Sequence, residues 1–242
     1  MVGLLPIVVL LILAMLVVAS LRSQRWGTRD VVRSTGTVAA LGALVAGVAI
    51  VVTLARAIGG DDLNITVPVA EFWPALNPGV TDVQGPTATV TGGGFTSADV
   101  QEHGLDTATR VLWVSGQVVG LLVPLNVCLL IVLACWKLLN GDPFVALVTR
   151  VALWTSAIVL VGGLAAQILQ QVAASRAARA LLDVTGYTAP DVHGEMLPTG
   201  LPSSTGSWSV SLWPIGAALL IAAFAALVRY GTRLQQDVEG LV

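Results

Sequence analysis

The stretch Val111–Trp136, VLWVSGQVVGLLVPLNVCLLIVLACW, contains no Asp, Glu, Lys, Arg or His. A helix needs roughly 20 apolar residues, each rising about 1.5 Å, to cross a hydrocarbon layer of about 30 Å. This run is long enough to do so. Four more charge-free runs flank it: Met1–Leu21, Ser34–Ala55, Val151–Ser175 and Met196–Val228. The last opens with a Pro/Gly/Ser-rich stretch, which narrows its membrane part to Trp208–Val228. The expected fold is an all-α integral membrane protein, a bundle of five transmembrane helices with a small extracytoplasmic cap.

Composition agrees. The chain has 242 residues, 11% charged and 55% hydrophobic, with a mean hydropathy of +0.85. Soluble domains carry about 25% charged residues, so an ordinary soluble enzyme, a disordered regulator and a secreted disulfide scaffold are excluded. A formal charge of −2 carries no polyanion signature, so no direct nucleic-acid binding is expected. Eleven arginines against a single lysine, Lys137, amid abundant Ala, Val, Leu and Gly, point to a GC-rich bacterial genome.

Arginine placement sets the expected orientation. With the N-terminus outside, segments 22–33, 137–150 and 229–242 are cytoplasmic and hold eight basic and four acidic residues. The outer segments 56–110 and 176–207 hold four basic and ten acidic residues. The inner side is then +4 and the outer side −6, which sums to −2. Trp113, Trp208 and Trp213 fall near the outer boundary and Trp136 and Trp154 near the inner one, where indoles prefer to sit. Val17-Val18-Ala19 offers a small-residue cleavage site, but Arg22, Arg25, Arg29 and Arg33 follow at once and no basic n-region precedes. Residues 1–33 therefore read as a retained helix with a basic cytoplasmic loop. Residues 34–242 form the four-helix remainder.

Pumps and proton-coupled carriers place ionisable groups at membrane depth, and these five runs hold none. Their polar candidates are the amides Gln117 and Asn126 on the third span and Gln167, Gln170 and Gln171 on the fourth. They read first as interhelical hydrogen-bonding groups and second as a polar path. Pro124 is expected to kink the third helix. Gly116 and Gly120, and the Gly36, Ala40, Gly42, Ala43 and Gly47 series, read as close helix packing, with a homo-oligomer open. Cys128 and Cys135 lie seven residues apart on one helix, a spacing that forbids a disulfide between them, and serve as small packing residues. No metal or cofactor is expected.

Segment 56–110 is too long for a simple connector. Ile65, Val67 and Val69 alternate, which predicts a short strand that Pro68 restricts to an edge, with Thr87–Thr91 as hairpin partner. Thr96-Ser97-Ala98-Asp99 reads as a capping box opening a helix into the third span. On that helix Asp99, His103 and Asp106 share a face, with Glu102 beside them. Asp191, His193 and Glu195 lie in the other outer segment. Asp99, His103, Asp106 and His193 thus form a candidate outer polar cluster, for a divalent cation or for pH sensing, against a plain solvated helix.

On the inner side, Asn140-Gly141-Asp142-Pro143-Phe144 reads as a helix stop followed by a capped start. Arg229–Val242 reads as a short amphipathic tail, with Arg233 and Asp237 at i,i+4. The Gly141–Phe144 turn and the ending Leu234-Gln235-Gln236-Asp237-Val238-Glu239-Gly240-Leu241-Val242 resemble the bacterial membrane family named domain of unknown function 2975. The resemblance covers about residues 34–242. It departs in the additional helix 1–33 and in a sparser basic stretch after Phe144, where only Arg150 remains. The family has no assigned activity. Its members stand beside small helix-turn-helix regulators, which implies a membrane sensor or anchor that restrains or releases a cytoplasmic DNA-binding partner.

The leading expectation is therefore a non-enzymatic multi-pass protein of the cell membrane with such a partner. Its docking surface is expected at Arg22, Arg25, Arg29, Arg33, Phe144, Arg233 and Asp237. A transport-associated or channel-like subunit is the alternative.

Overall fold

A computed structural model describes residues 28–60, 62–73, 91–140, 146–183, 202–206 and 208–239. The elements follow in the order α1 (Thr28–Gly59), β1 (Leu63–Phe72), β2 (Phe95–Glu102), α2 (Thr107–Leu139), α3 (Ala146–Leu182) and α4 (Trp213–Glu239). Among the described residues four helices are long and apolar enough to cross a membrane, and the protein is membrane-embedded. The expected fifth helix, Met1–Leu21, lies outside the described residues. The chain divides into two compact units: a helical one within Met1–Ala55, Gln117–Gln167 and Ser211–Val242, and a sheet-bearing one of Arg56–Gly116 and Ile168–Val210.

In the helical unit, α2, α3 and α4 each contribute two buried residues seven positions apart. Val123, Val159 and Ala218 form one cluster, and Leu130, Ala152 and Ala225 form the other. The order ascends along α2 and α4 and descends along α3, so α3 runs antiparallel to both. Ile221 packs against both clusters. Alanines at these contacts let backbones approach closely, the usual substitute in lipid for a hydrophobic driving force between helices. Ser156 adds a bond across the pair, its hydroxyl donating to the Ala218 carbonyl at 2.8 Å. On α1, a Cβ at Gly36 would stand 3.3 Å from Cys135 Cβ, and one at Gly42 would stand 3.0 Å from Cys128 Sγ. The two cysteines thus pack into notches left by the glycines. The rest of α1 exposes Leu41, Leu44, Val48 and Val51, an apolar face suited to lipid.

In the sheet-bearing unit β1 pairs antiparallel with β2. The expected alternation holds: Ile65, Val67 and Val69 are buried while Asn64 and Thr66 are exposed. The three pack against Ala174, Ala177 and Ala178 of α3. Two expectations change here. The partner of β1 is Phe95–Glu102, and of the expected partner Thr87–Thr91 all but Thr91 lies outside the described residues. Thr96–Asp99 is therefore strand, not a capping box. Pairing with Ile65 places Val100 in the cluster that Ile65, Val67 and Val69 form against the alanine face of α3, which an isolated cap cannot match. Register shifts between Pro68 and Phe72. Within that bulge Ala70 N–H donates to the Ser203 carbonyl at 2.9 Å and Val69 bridges Ser204.

Two helix ends also move. α3 continues past Ser175 to Leu182, because Arg176 and Arg179 point outward while the alanines face the sheet. α4 starts at Trp213 rather than Trp208, with Pro214 in its first turn, where a missing N–H costs nothing. It then runs unbroken to Glu239, so the tail continues the last span.

Candidate functional site

Directly paired residues of an antiparallel sheet project to the same face. One face of this sheet therefore carries Leu63, Ile65, Val67, Ala98, Val100 and Glu102. Glu102 closes an otherwise apolar row. It is 7% exposed, and its Oε1 has no hydrogen-bond partner among the described residues. Burial pushes its carboxyl above the usual 4.5, because desolvation disfavours the charged form. Glu102 lines a cleft of about 390 Å³ together with His103, Gly104, Asp106 and, from α3, Ala180 and Leu181. Gly104, at φ +79°, turns the chain there from strand to helix.

The predicted cluster disperses around this cleft. Asp99 lies on the opposite sheet face and accepts from the Thr66 hydroxyl at 2.5 Å. His103 Nδ1 lies 2.5 Å from Asp62 Oδ1. Asp106 is the N-cap of α2, its Oδ2 accepting from Thr109 N–H at 3.1 Å. Those Thr109 bonds, with Arg176 nearby, hold the Asp106 carboxyl below its usual range. The shared helix face expected for Asp99, His103 and Asp106 does not exist, because residues 95–102 are strand. No group of three or more metal-ligating side chains forms among the described residues. His193 lies outside them, as do Arg22, Arg25 and Phe144. Arg29 and Arg33 fall in the first turns of α1, and Arg233 and Asp237 in the last turns of α4.

Of the span amides, Asn126, Gln167 and Gln171 bond to backbone groups. Asn126 Nδ2 donates to the Leu122 carbonyl at 2.9 Å, one turn back on α2. Gln167 clamps Ser211 from both sides, donating to its carbonyl at 3.2 Å and accepting its N–H at 2.7 Å. Gln171 Nε2 donates to the Ser209 carbonyl. Sequence reading misses the isolation of Glu102 and the role of Asp62 as partner of His103. The strand alternation Ala98, Val100, Glu102 is the signal that carries the first.

No protein-family model matches the chain, and no curated protein or solved structure does.

Proposed function

We propose that this chain is a non-enzymatic sensor or anchor in a bacterial cell membrane, acting through a cytoplasmic protein partner. Its sheet-bearing unit and N-terminus then lie outside and its C-terminus inside. The observation that carries the reading is the continuity of α3. Ala152 and Val159 of this one helix are buried in the helical unit, and Ala174, Ala177 and Ala178 carry the sheet. α3 thus contributes residues to both units, to the helical one up to Gln167 and to the sheet-bearing one from Ile168. Glu102 supplies a place for a sensed event, since a buried lone carboxyl changes its energy when protonated or paired. The motifs at Gly141–Phe144 and Leu234–Val242 support a small helix-turn-helix regulator as the partner. The transport-associated alternative draws on Asn126 and Gln167, but both are already bonded to backbone, which makes it the weaker reading.

The test is a mild-detergent pull-down of tagged protein from its host, read by mass spectrometry. A stoichiometric DNA-binding protein, lost when Arg22, Arg25, Arg29 and Arg33 are all changed to Glu, is the expected result. Its retention by that variant would remove the arginine surface. Recovery of transporter subunits instead would favour the alternative. Orientation is read separately by labelling Asp62→Cys and Asn140→Cys with a membrane-impermeant thiol reagent. Only Asp62→Cys is expected to react in intact cells.

A further inference from the structure

A second cleft in the sheet-bearing unit, of about 540 Å³, is lined by Thr66, Thr96 and Ser97 of the strands, Gln171 and Ser175 of α3, and Ser209. Its volume falls in the roughly 300–1,000 Å³ range of small-molecule sites. Among the described residues its lining holds no ionisable side chain. Gln171 and Ser175 are one helical turn apart and so share a face of α3. The Gln171 amide is half committed: its Nε2 is spent on Ser209, while its buried Oε1 has no partner among the described residues. Ser175 is 9% exposed, a hydroxyl placed deep in the cleft wall. Across from them, Thr96 and Ser97 are exposed on β2. Phe95, directly before Thr96, stacks face to face on Trp73 at 5.3 Å with an interplanar angle of 1°, and both rings stay half exposed.

We infer that this cleft binds a neutral polyhydroxylated ligand, a mono- or disaccharide. The chemistry selects that class in three steps. An anionic ligand finds no counter-charge among the described lining residues, and desolvating an unpaired ion is costly; a cation meets only Asp99 beside the wall, whose carboxylate is already engaged by the Thr66 hydroxyl. A hydrocarbon leaves the Gln171 carbonyl and the Ser175 hydroxyl facing an apolar surface, which wastes both. A sugar hydroxyl is donor and acceptor at once, so it satisfies an amide oxygen and serine or threonine hydroxyls together. The inference does not depend on the identity of the inner partner, nor on Glu102, which lines the other cleft.

The experiment is saturation-transfer NMR on the full chain in lipid nanodiscs, with glucose, maltose, trehalose and N-acetylglucosamine, and glucose 6-phosphate as the charged control. At least one neutral sugar is expected to receive saturation, and glucose 6-phosphate to bind more weakly. Gln171→Leu removes the unpartnered acceptor and is expected to weaken binding about tenfold, the loss of one good hydrogen bond. Thr96→Val and Ser97→Ala alter exposed lining positions whose loss leaves the core intact, and each is expected to weaken binding as well. The inference is overturned if none of the neutral sugars receives saturation, if glucose 6-phosphate binds best, or if all three variants bind as the unaltered protein does.

Discussion

Two neighbouring glycines of α3 give opposite expectations for one and the same substitution. A Cβ at Gly163 would lie 2.7 Å from Cβ and 2.9 Å from Cγ of Pro214, whereas at Gly162 the nearest atom is Val123 Cγ2 at 3.6 Å. Carbon atoms prefer about 3.5–4.0 Å, so Gly162→Ala makes an ordinary contact and Gly163→Ala is nearly 1 Å too tight. Pro214 cannot yield cheaply: it is fully buried, its ring is rigid, and it sits in the first turn of α4. Replacing Gly by Ala in a helix interior stabilises by about 1 kcal/mol on propensity alone. That gain is common to both variants and cancels when they are compared. What remains is the overpacking cost, about 1–3 kcal/mol, borne by Gly163→Ala alone. The assay is reversible unfolding in mixed dodecyl maltoside and SDS micelles, followed by tryptophan fluorescence. Gly162→Ala should match or exceed the stability of the unaltered protein, with Gly163→Ala below Gly162→Ala by that margin. If Gly163→Ala unfolds at the same or higher SDS fraction than Gly162→Ala, the close contact between α3 and Pro214 of α4 is wrong.

Three further expectations rest on Glu102, Asp106 and Gln167. The raised carboxyl of Glu102 means that the native state holds a proton more tightly than the unfolded chain does. Its contribution to stability is full below about 4.5 and is lost as pH rises through the higher folded value. Glu102→Gln should therefore flatten the pH dependence of unfolding above 4.5 and leave the variant at least as stable at pH 7; a steeper profile in the variant would contradict this. Asp106 has the opposite sign: its lowered carboxyl contributes stability above the unfolded value that is lost as pH falls through the folded one. Asp106→Asn keeps a capping oxygen but removes the charge, so the acid-side loss of protection at the amides of Thr107–Thr109, read by hydrogen exchange, should vanish. Gln167→Leu breaks both bonds to Ser211 and should cost about 1 kcal/mol in the same SDS titration; no change would mean that water replaces the clamp at no cost.

The spans are legible in the sequence because a charge-free run of that length has few alternatives, and Ile65, Val67 and Val69 announce a strand by their alternation alone. The partner strand is not, because Thr96-Ser97-Ala98-Asp99 satisfies a local capping rule as well as it satisfies a strand. Only the register that opposes Leu63 to Glu102, set by contacts distant in sequence, decides between them. The true cap sits further along, at Asp106 and Thr109. The candidate site shares this fate. Asp99, His103 and Asp106 are a cluster only on a helix; on a strand followed by a turn they separate, and Glu102 moves to the buried face.

The end of α3 shows the physical reason most plainly. A span is bounded by charge because lipid rejects charge, so a reading by charge stops at Arg176. A helix is bounded by the loss of its packed face, and here that face persists: Ala174, Ala177 and Ala178 continue it while Arg176 and Arg179 occupy the other side. The two rules agree wherever a helix ends at the membrane surface and part wherever it runs on. Between the end read from charge and the observed end at Leu182 lie Ala177 and Ala178, which with Ala174 just before them pack against the sheet. The polar side chains Gln171 and Ser175 accordingly stand at the end of the charge-free run, next to the overrun and not on it.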